Sequence, residues 1–228
     1  MIDSNKGYIV NPVINLRGSR FLAHRAFWAE SQEAVSRFAR LGERDPMTET
    51  HIVLLRGINL GGRNKLPMKD LAGMLTELGC RDVTTYIQSG NAVVGLDEAL
   101  ASALPGRLAE RIQEQAGLRV PVVVRTREAF AAVVRDNPFL AAGADPQTLH
   151  VMFLADQPLP EDVAALDPNR SPADAYIVRG REIYLHCPQG VADTRLTNAY
   201  FDARLKTVST SRNWRTVLKL RDLSDAKS

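Results

Sequence analysis

Residues 51–96, HIVLLRGINLGGRNKLPMKDLAGMLTELGCRDVTTYIQSGNAVVGL, decide the fold. His51–Leu55 is a short apolar run of the kind that forms a buried strand, and Pro67–Leu78 reads as a helix with proline at its first position. Leu71, Leu75 and Leu78 give that helix its core stripe, and Gly79 ends it. Val83–Gln88 and Asn91–Leu96 follow as two strands joined at Ser89 and Gly90, which makes a hairpin. Beyond them, Asp97–Ala116 is a second helical region, predicted to be interrupted near Pro105 and Gly106. Val120–Arg125 is a β-branched strand. The order is β-α-β-β-α-β.

The order then repeats. A connecting helix at Arg127–Arg135 leads to a strand at Leu149–Leu154, a short helix at Glu161–Leu166, and a hairpin of Ala175–Val178 with Glu182–His186 turned at Gly180 and Arg181. A helix at Leu196–Leu205, a short strand at Thr207–Ser209 and a terminal helix at Arg212–Leu223 close the second unit. No residue-level identity links the halves, so the repeat rests on element order. The expected fold is α+β: two consecutive ferredoxin-like (βαββαβ) subdomains, each an antiparallel sheet covered by helices. They fall at 47–126 and 149–228, the second ending in the C-terminal helix, with a connecting helix and linker at 127–148.

Residues 1–46 read differently. Only Gln32–Leu41 has helical spacing, so this stretch is expected to be a poorly structured N-terminal extension, and Met47 is read as the native start. The stretch carries seven Lys/Arg and five Asp/Glu, so it contributes +2 of the chain's net +3. The pI of 9.0 therefore points to no particular partner for the remaining 182 residues. No apolar run approaches the ~20 residues that span a bilayer, and no signal-peptide pattern opens the chain; a cytoplasmic protein with no membrane partner is expected. The two cysteines, Cys80 and Cys187, fit neither a disulfide framework nor a metal-spaced cluster.

Three polar segments stand out. Arg56-Gly57-Ile58-Asn59-Leu60-Gly61-Gly62-Arg63-Asn64-Lys65 leaves the first strand with three glycines, whose amides can converge on an anion while Arg56, Arg63 and Lys65 supply charge. Its Gly57–Gly62 spacing approximates a phosphate-binding P-loop, but Arg63 and Asn64 stand where Lys and Ser/Thr are required, and the element order contradicts a parallel sheet. Ser89 and Asn91 add uncharged hydrogen-bonding groups at the hairpin. Thr210-Ser211-Arg212-Asn213-Trp214 is read as the opening of the last helix, with Trp214 as a core anchor and Arg212 and Asn213 as ligand contacts. His186 and Cys187, adjacent on a strand, point to opposite faces and make no nucleophile–base pair. His51 and His150 have no ligands near them, so no metal is expected.

Taken together, LLRGINLGGRNKL (Leu54–Leu66), TYIQSGN (Thr85–Asn91), Asn137–Phe139, EIYLHCPQG (Glu182–Gly190), Leu196–Thr197 and TSRNWRTVLKL (Thr210–Leu220) resemble the bacterial family catalogued as domain of unknown function 1697. The resemblance covers Met47 to about Leu223. It implies a two-subdomain α+β fold related to ferredoxin-like units and brings no reaction or cofactor with it. Arg63 stands where the family often has Lys, and Ala192 and Asp193 replace a pattern usually glycine-containing and basic.

The functional expectation is a small anionic ligand, bearing phosphate or carboxylate, bound by Arg56, Gly57, Asn59, Gly61, Gly62, Arg63, Lys65, Ser89, Asn91, Arg212 and Asn213. No general base stands out, so enzymatic activity stays open. The rivals are a nucleic-acid-binding protein that uses its sheets as platforms, with Tyr86, Phe153, Tyr176 and Tyr184 as strand aromatics, and a protein-interaction or oligomerisation module built on an open sheet edge.

Overall fold

The computed structural model describes residues 48–227. The readings made for residues 1–46 and for a start at Met47 lie outside them. In chain order the elements are β1 (Glu49–Leu55), α1 (Met68–Glu77), β2 (Arg81–Tyr86), β3 (Asn91–Leu96), α2 (Glu98–Ala116), β4 (Val122–Thr126), α3 (Arg127–Arg135) and α4 (Pro138–Ala141). The second half continues with β5 (Leu149–Leu154), α5 (Pro160–Ala164), β6 (Ala175–Arg179), β7 (Glu182–His186), α6 (Asn198–Leu205), β8 (Ser209–Asn213) and α7 (Trp214–Asp225). The fold is α+β. Its two four-stranded sheets run β2-β3-β1-β4 and β6-β7-β5-β8, and every pairing is antiparallel. Both orders are that of the ferredoxin-like split βαβ.

Strand alternation explains how the layers stack. In β1, Val53 and Leu55 face α1 and α2, where they meet Leu71, Leu75, Leu104, Leu108 and Ile112. Ile52 and Leu54 face the other way and join Val151 and Phe153 of β5 in a shared middle core. Phe130 of α3 stacks on Phe153 there, with ring centroids 5.2 Å apart and planes 5° apart. Trp214, Val217 and Leu220 of α7 complete it, so α7 touches strands of both sheets. Met152 and Leu154, on the far side of β5, pack with Phe201 and Leu205 of α6. The central strands of both sheets are therefore buried on both faces.

Two boundaries differ from the sequence reading. Helix α2 runs unbroken through Pro105. Three residues fully buried on its inner face, Leu104, Leu108 and Ile112, hold the path that a proline alone would weaken. The last strand is Ser209–Asn213 and the last helix starts at Trp214, so Thr210, Ser211 and Arg212 are strand residues paired with β5. Backbone pairing with Phe153, Met152 and Val151 prevails over the helix-start pattern of that segment.

The halves are joined by two buried arginines in equivalent places. Arg125 lies opposite Ile52 in the β1–β4 pair, and Arg212 lies opposite Val151 in the β5–β8 pair. Each guanidinium crosses to the other half. Arg212 donates to the carbonyls of Leu55 (2.7 Å), Ser89 (3.2 Å) and Gly90 (3.1 Å) and to Asn91 Oδ1. Arg125 donates to the carbonyls of Leu154 (2.6 Å) and Arg181 (3.1 Å) and to Glu182 Oε1 (2.8 Å). Leu55 matches Leu154, Gly90 matches Arg181 and Asn91 matches Glu182 in register, as Asn91 pairs with Leu54 and Glu182 with Phe153. The exchange is reciprocal, which is the signature of an internal two-fold relation. One difference remains: Arg125 has a carboxylate partner, and Arg212 has only neutral acceptors. Burial pushes the Arg212 pKa down to about 10, which still leaves it charged at neutral pH.

Gly90 closes the junction. Its φ is +74°, and a Cβ there would lie 2.6 Å from Leu55 Cβ and 2.9 Å from Ile58 Cδ1. Only glycine fits.

Arg212→Met is expected to destabilise the protein by about 3 kcal/mol, because several buried carbonyls lose a charged donor at once. Arg212→Lys should recover little of this, since an ammonium cannot fork to the same acceptors. Arg125→Met leaves Glu182 without its counter-charge and should cost roughly 3–5 kcal/mol, part of which Arg125→Met/Glu182→Leu restores. Gly90→Ala should cost about 2–4 kcal/mol from left-handed strain plus overpacking. Urea unfolding midpoints measure all of these.

Candidate functional site

The structure brings the three polar segments to one place, at the exit of β1. The carbonyl of Leu55 accepts from both Thr210 Oγ1 (3.2 Å) and Arg212, and the turn carbonyls of Ser89 and Gly90 accept from the same guanidinium. Asn91, fully buried, donates to Ser89 Oγ (2.9 Å) and to the Tyr86 carbonyl (3.2 Å). This is a packed junction. Arg212 also donates to Thr210 Oγ1 (2.7 Å) and the Ser211 carbonyl (2.8 Å), so each of its nitrogens is engaged by protein. In this arrangement Arg212 and Asn91 have no donor to offer a ligand. Asn213 caps α7, its Oδ1 accepting from Thr216 N at 2.9 Å.

Arg56 sits at the rim of the junction. Its backbone N–H donates to the Pro121 carbonyl (3.0 Å), and its guanidinium pairs with Asp202 of α6. Asp202 Oδ1 also accepts from Ser209 Oγ (2.6 Å), which in turn accepts from Asn198 Nδ2 (2.7 Å). The sequence reading did not single out Asn198, Asp202 or Ser209. The four-residue spacing of Asn198 and Asp202, which puts both on one helix face, was the available signal. Arg125 and Glu182 were also missed, although one arginine inside the run Val122–Thr126 is a conspicuous charge in a buried strand.

Beyond Arg56 the chain forms a finger. Leu60 and Arg63 pair across Gly61 and Gly62, whose φ values of +53° and +83° turn the chain back on itself. Two asparagines hold the finger in shape. Asn59, at φ +54°, donates to the carbonyls of Leu66 (2.9 Å) and Gln88 (2.8 Å) and accepts from Leu66 N (2.9 Å). Asn64, at φ +50°, donates to the Gly57 carbonyl (2.8 Å). Both tolerate the left-handed region better than most side chains do. Ile58 and Leu66 anchor the base in the core. Gly61, Gly62, Arg63 and Lys65 are exposed, and nothing lies within 4 Å of where a Cβ would stand on either glycine. Arg63 N donates to the Leu60 carbonyl (2.9 Å), but among the described residues neither the Arg63 nor the Lys65 side chain has a hydrogen-bond or ion-pair partner. Thus Asn59, Asn64 and Gly57 build the finger, while Gly61, Gly62, Arg63 and Lys65 face outward.

The chemistry available here is electrostatic. Asp202, the carboxylate at the junction, is engaged by Arg56 and Ser209, and both thiols are buried with their pKa raised to about 11 by desolvation. Neither fits a nucleophile. The strand aromatics are packed rather than offered: Phe153 and Tyr184 are buried, Tyr86 lies against the middle core, and Tyr176 meets Phe201 edge-on at 5.3 Å. No helix among the described residues is long and apolar enough to cross a membrane.

Comparison with known proteins bears on the fold and on kinship. The conserved bacterial protein SP0830 from Streptococcus pneumoniae is similar in structure, with a TM-score of 0.58 at 22% identity, over 78% of this chain and 99% of that one. At that identity the likeness speaks for the fold alone. No curated protein matches the chain. A family profile described as "Protein of unknown function (DUF1697)" matches residues 47–184, more than half of the chain and inclusive of β1, the finger and the β2–β3 turn. The chain belongs to the DUF1697 family.

Proposed function

We propose that this protein binds a phosphate- or carboxylate-bearing ligand at the finger, and that it does so in the cytosol. The observation that carries the reading is the division of labour within the loop: the asparagines hold its shape, while the Arg63 and Lys65 side chains have no partner among the described residues. A loop whose backbone is already held needs no further backbone ordering on meeting an anion, so the cost that remains is that of ordering the Arg63 and Lys65 side chains. The exposed amides of the glycine tip add donors in the same place. From Arg56 to Lys69 the segment carries no carboxylate; Arg56 is offset by its pairing with Asp202, which leaves Arg63, Lys65 and Lys69 to favour an anion. The reading is one of recognition, and among the described residues the finger's neighbours supply charge and hydrogen bonds.

Isothermal titration with pyrophosphate, nucleotides and small dicarboxylates tests it. Arg63→Ala/Lys65→Ala is expected to weaken binding at least about tenfold, or ~1.4 kcal/mol, with the melting temperature unchanged because both side chains are exposed. Asn59→Ala, which touches no ligand, is expected to weaken binding severalfold by loosening the finger, and to lower stability by about 1–3 kcal/mol through the unpaired Leu66 and Gln88 groups. Absence of binding by any of these anions, or binding that Arg63→Ala/Lys65→Ala leaves intact, defeats the proposal.

A further inference from the structure

Two exposed apolar side chains stand together at one end of the first sheet, and we infer that, with the finger's cations, they dock this protein on an anionic lipid surface. The inference rests on the finger being an anion-recognising element, and it names a lipid headgroup phosphate as the anion. Leu60, in the finger, is 62% exposed, and Ile87, in the β2–β3 turn, is 49% exposed. Their segments are held side by side. Asn59 Nδ2 donates to the Gln88 carbonyl (2.8 Å), a bond that joins the residue before Leu60 to the residue after Ile87. Gly90 of the same turn lies so close to Ile58 at the finger's base that a Cβ would meet Ile58 Cδ1 at 2.9 Å.

Ile87 is the more telling of the two. Its φ of +45° is one at which a β-branched residue is an outlier, and turns ordinarily place Gly or Asn there. Packing does not offset that strain, since about half of the side chain is in solvent. A single exposed leucine needs no explanation, whereas a strained, exposed isoleucine beside it does. Arg63 is bridged to Leu60 across the finger, and its side chain and that of Lys65 have no partner among the described residues. Lys69 lies in α1 beside Asp70, so Arg63 and Lys65 carry the contact. Apolar tips with cations beside them suit a bilayer interface: the tips leave water for the acyl boundary while the cations stay level with the phosphates. A protein groove would need walls shaped to both turns. A bilayer imposes no such shape, and the open space around Gly61 and Gly62 leaves the glycine tip free to reach it. The contact is peripheral and needs no spanning helix, whose absence was the ground for expecting no membrane partner.

Co-sedimentation of the full chain with phosphatidylcholine vesicles, with and without phosphatidylglycerol, tests this. Binding is expected only where phosphatidylglycerol is present, and it should weaken as salt rises. Leu60→Ser/Ile87→Asn is expected to bind those vesicles at least about tenfold more weakly, and Arg63→Ala/Lys65→Ala should lose a similar factor. Asparagine tolerates the left-handed region, so the urea midpoint of Leu60→Ser/Ile87→Asn should be no lower than that of the wild type. No binding to phosphatidylglycerol vesicles, or binding that Leu60→Ser/Ile87→Asn retains, overturns the inference. So does a joint fall in vesicle binding and urea midpoint, which marks a structural role for these side chains. A lipid-free dimer that the same variant dissolves also overturns it and assigns the patch to a second copy. Pyrophosphate titration separates this inference from the proposed function, because Leu60→Ser/Ile87→Asn keeps Arg63 and Lys65 and is expected to bind pyrophosphate as the wild type does. Pyrophosphate binding without vesicle binding removes the lipid surface alone, and vesicle binding without pyrophosphate binding removes the free-anion reading alone.

Discussion

A buried guanidinium is costly to desolvate, and this fold contains two, each reaching from the last strand of one half into the first strand's exit in the other. Arginine suits the place because its planar fork carries five donors that meet several carbonyls at once, which an ammonium cannot do. Wherever Leu55, Gly90 and Asn91 converge, Arg212 defines their relative positions; Arg125 does the same for Leu154, Arg181 and Glu182. The two sheets are thereby locked around α3 and α7, and the hydrophobic middle core acquires a fixed register. Packing of Phe130 on Phe153 supplies attraction there, but the arginines specify which residues face which.

The order of elements was legible because strands and helices announce themselves locally. The apolar run at His51–Leu55, the leucine stripe of α1 and the Ser89–Gly90 turn need no knowledge of the rest of the chain. Their doubling gave the α+β, ferredoxin-like class. What local pattern could not carry was the role of Arg212. Flanked by Thr210, Ser211 and Asn213, it looks like a helix opening aimed at solvent, and only pairing with Val151, far back in the sequence, places it in a strand pointing inward. Arg125 was read correctly as a strand residue, and what escaped there was only that it points inward to the other half. The equivalence of the two is invisible in an alignment of the halves, because their acceptors are mostly main-chain carbonyls, which leave no trace in residue identity.

The loop between β1 and α1 illustrates the same limit on a smaller scale. Its glycines and cations were readable as an anion-seeking segment, but the sequence offered Asn59 as a ligand contact alongside Arg63 and Lys65 and gave Asn64 no role. Folding separates them. The asparagines, themselves at positive φ, bond backbone groups of the loop and its neighbouring turn, and the cationic side chains are left without partners among the described residues. A polar loop thus divides into a scaffold and a working surface, and the division depends on which backbone carbonyls happen to lie within reach of each side chain.

The reciprocal arginines also bear on how the chain is made. Arg212 bonds to Leu55 across 157 positions and to Asn91 across 121, and α7, which seals the first sheet's inner face, is the last helix of the described chain. During synthesis from the N-terminus, β1–β4 emerge before the α3, β5 and α7 residues that cover Ile52, Leu54 and Val93. Long-range contacts of this kind slow the search for the native state. Until those later segments arrive, the first sheet presents an apolar face, and its cover comes from a helix more than a hundred residues further along the chain.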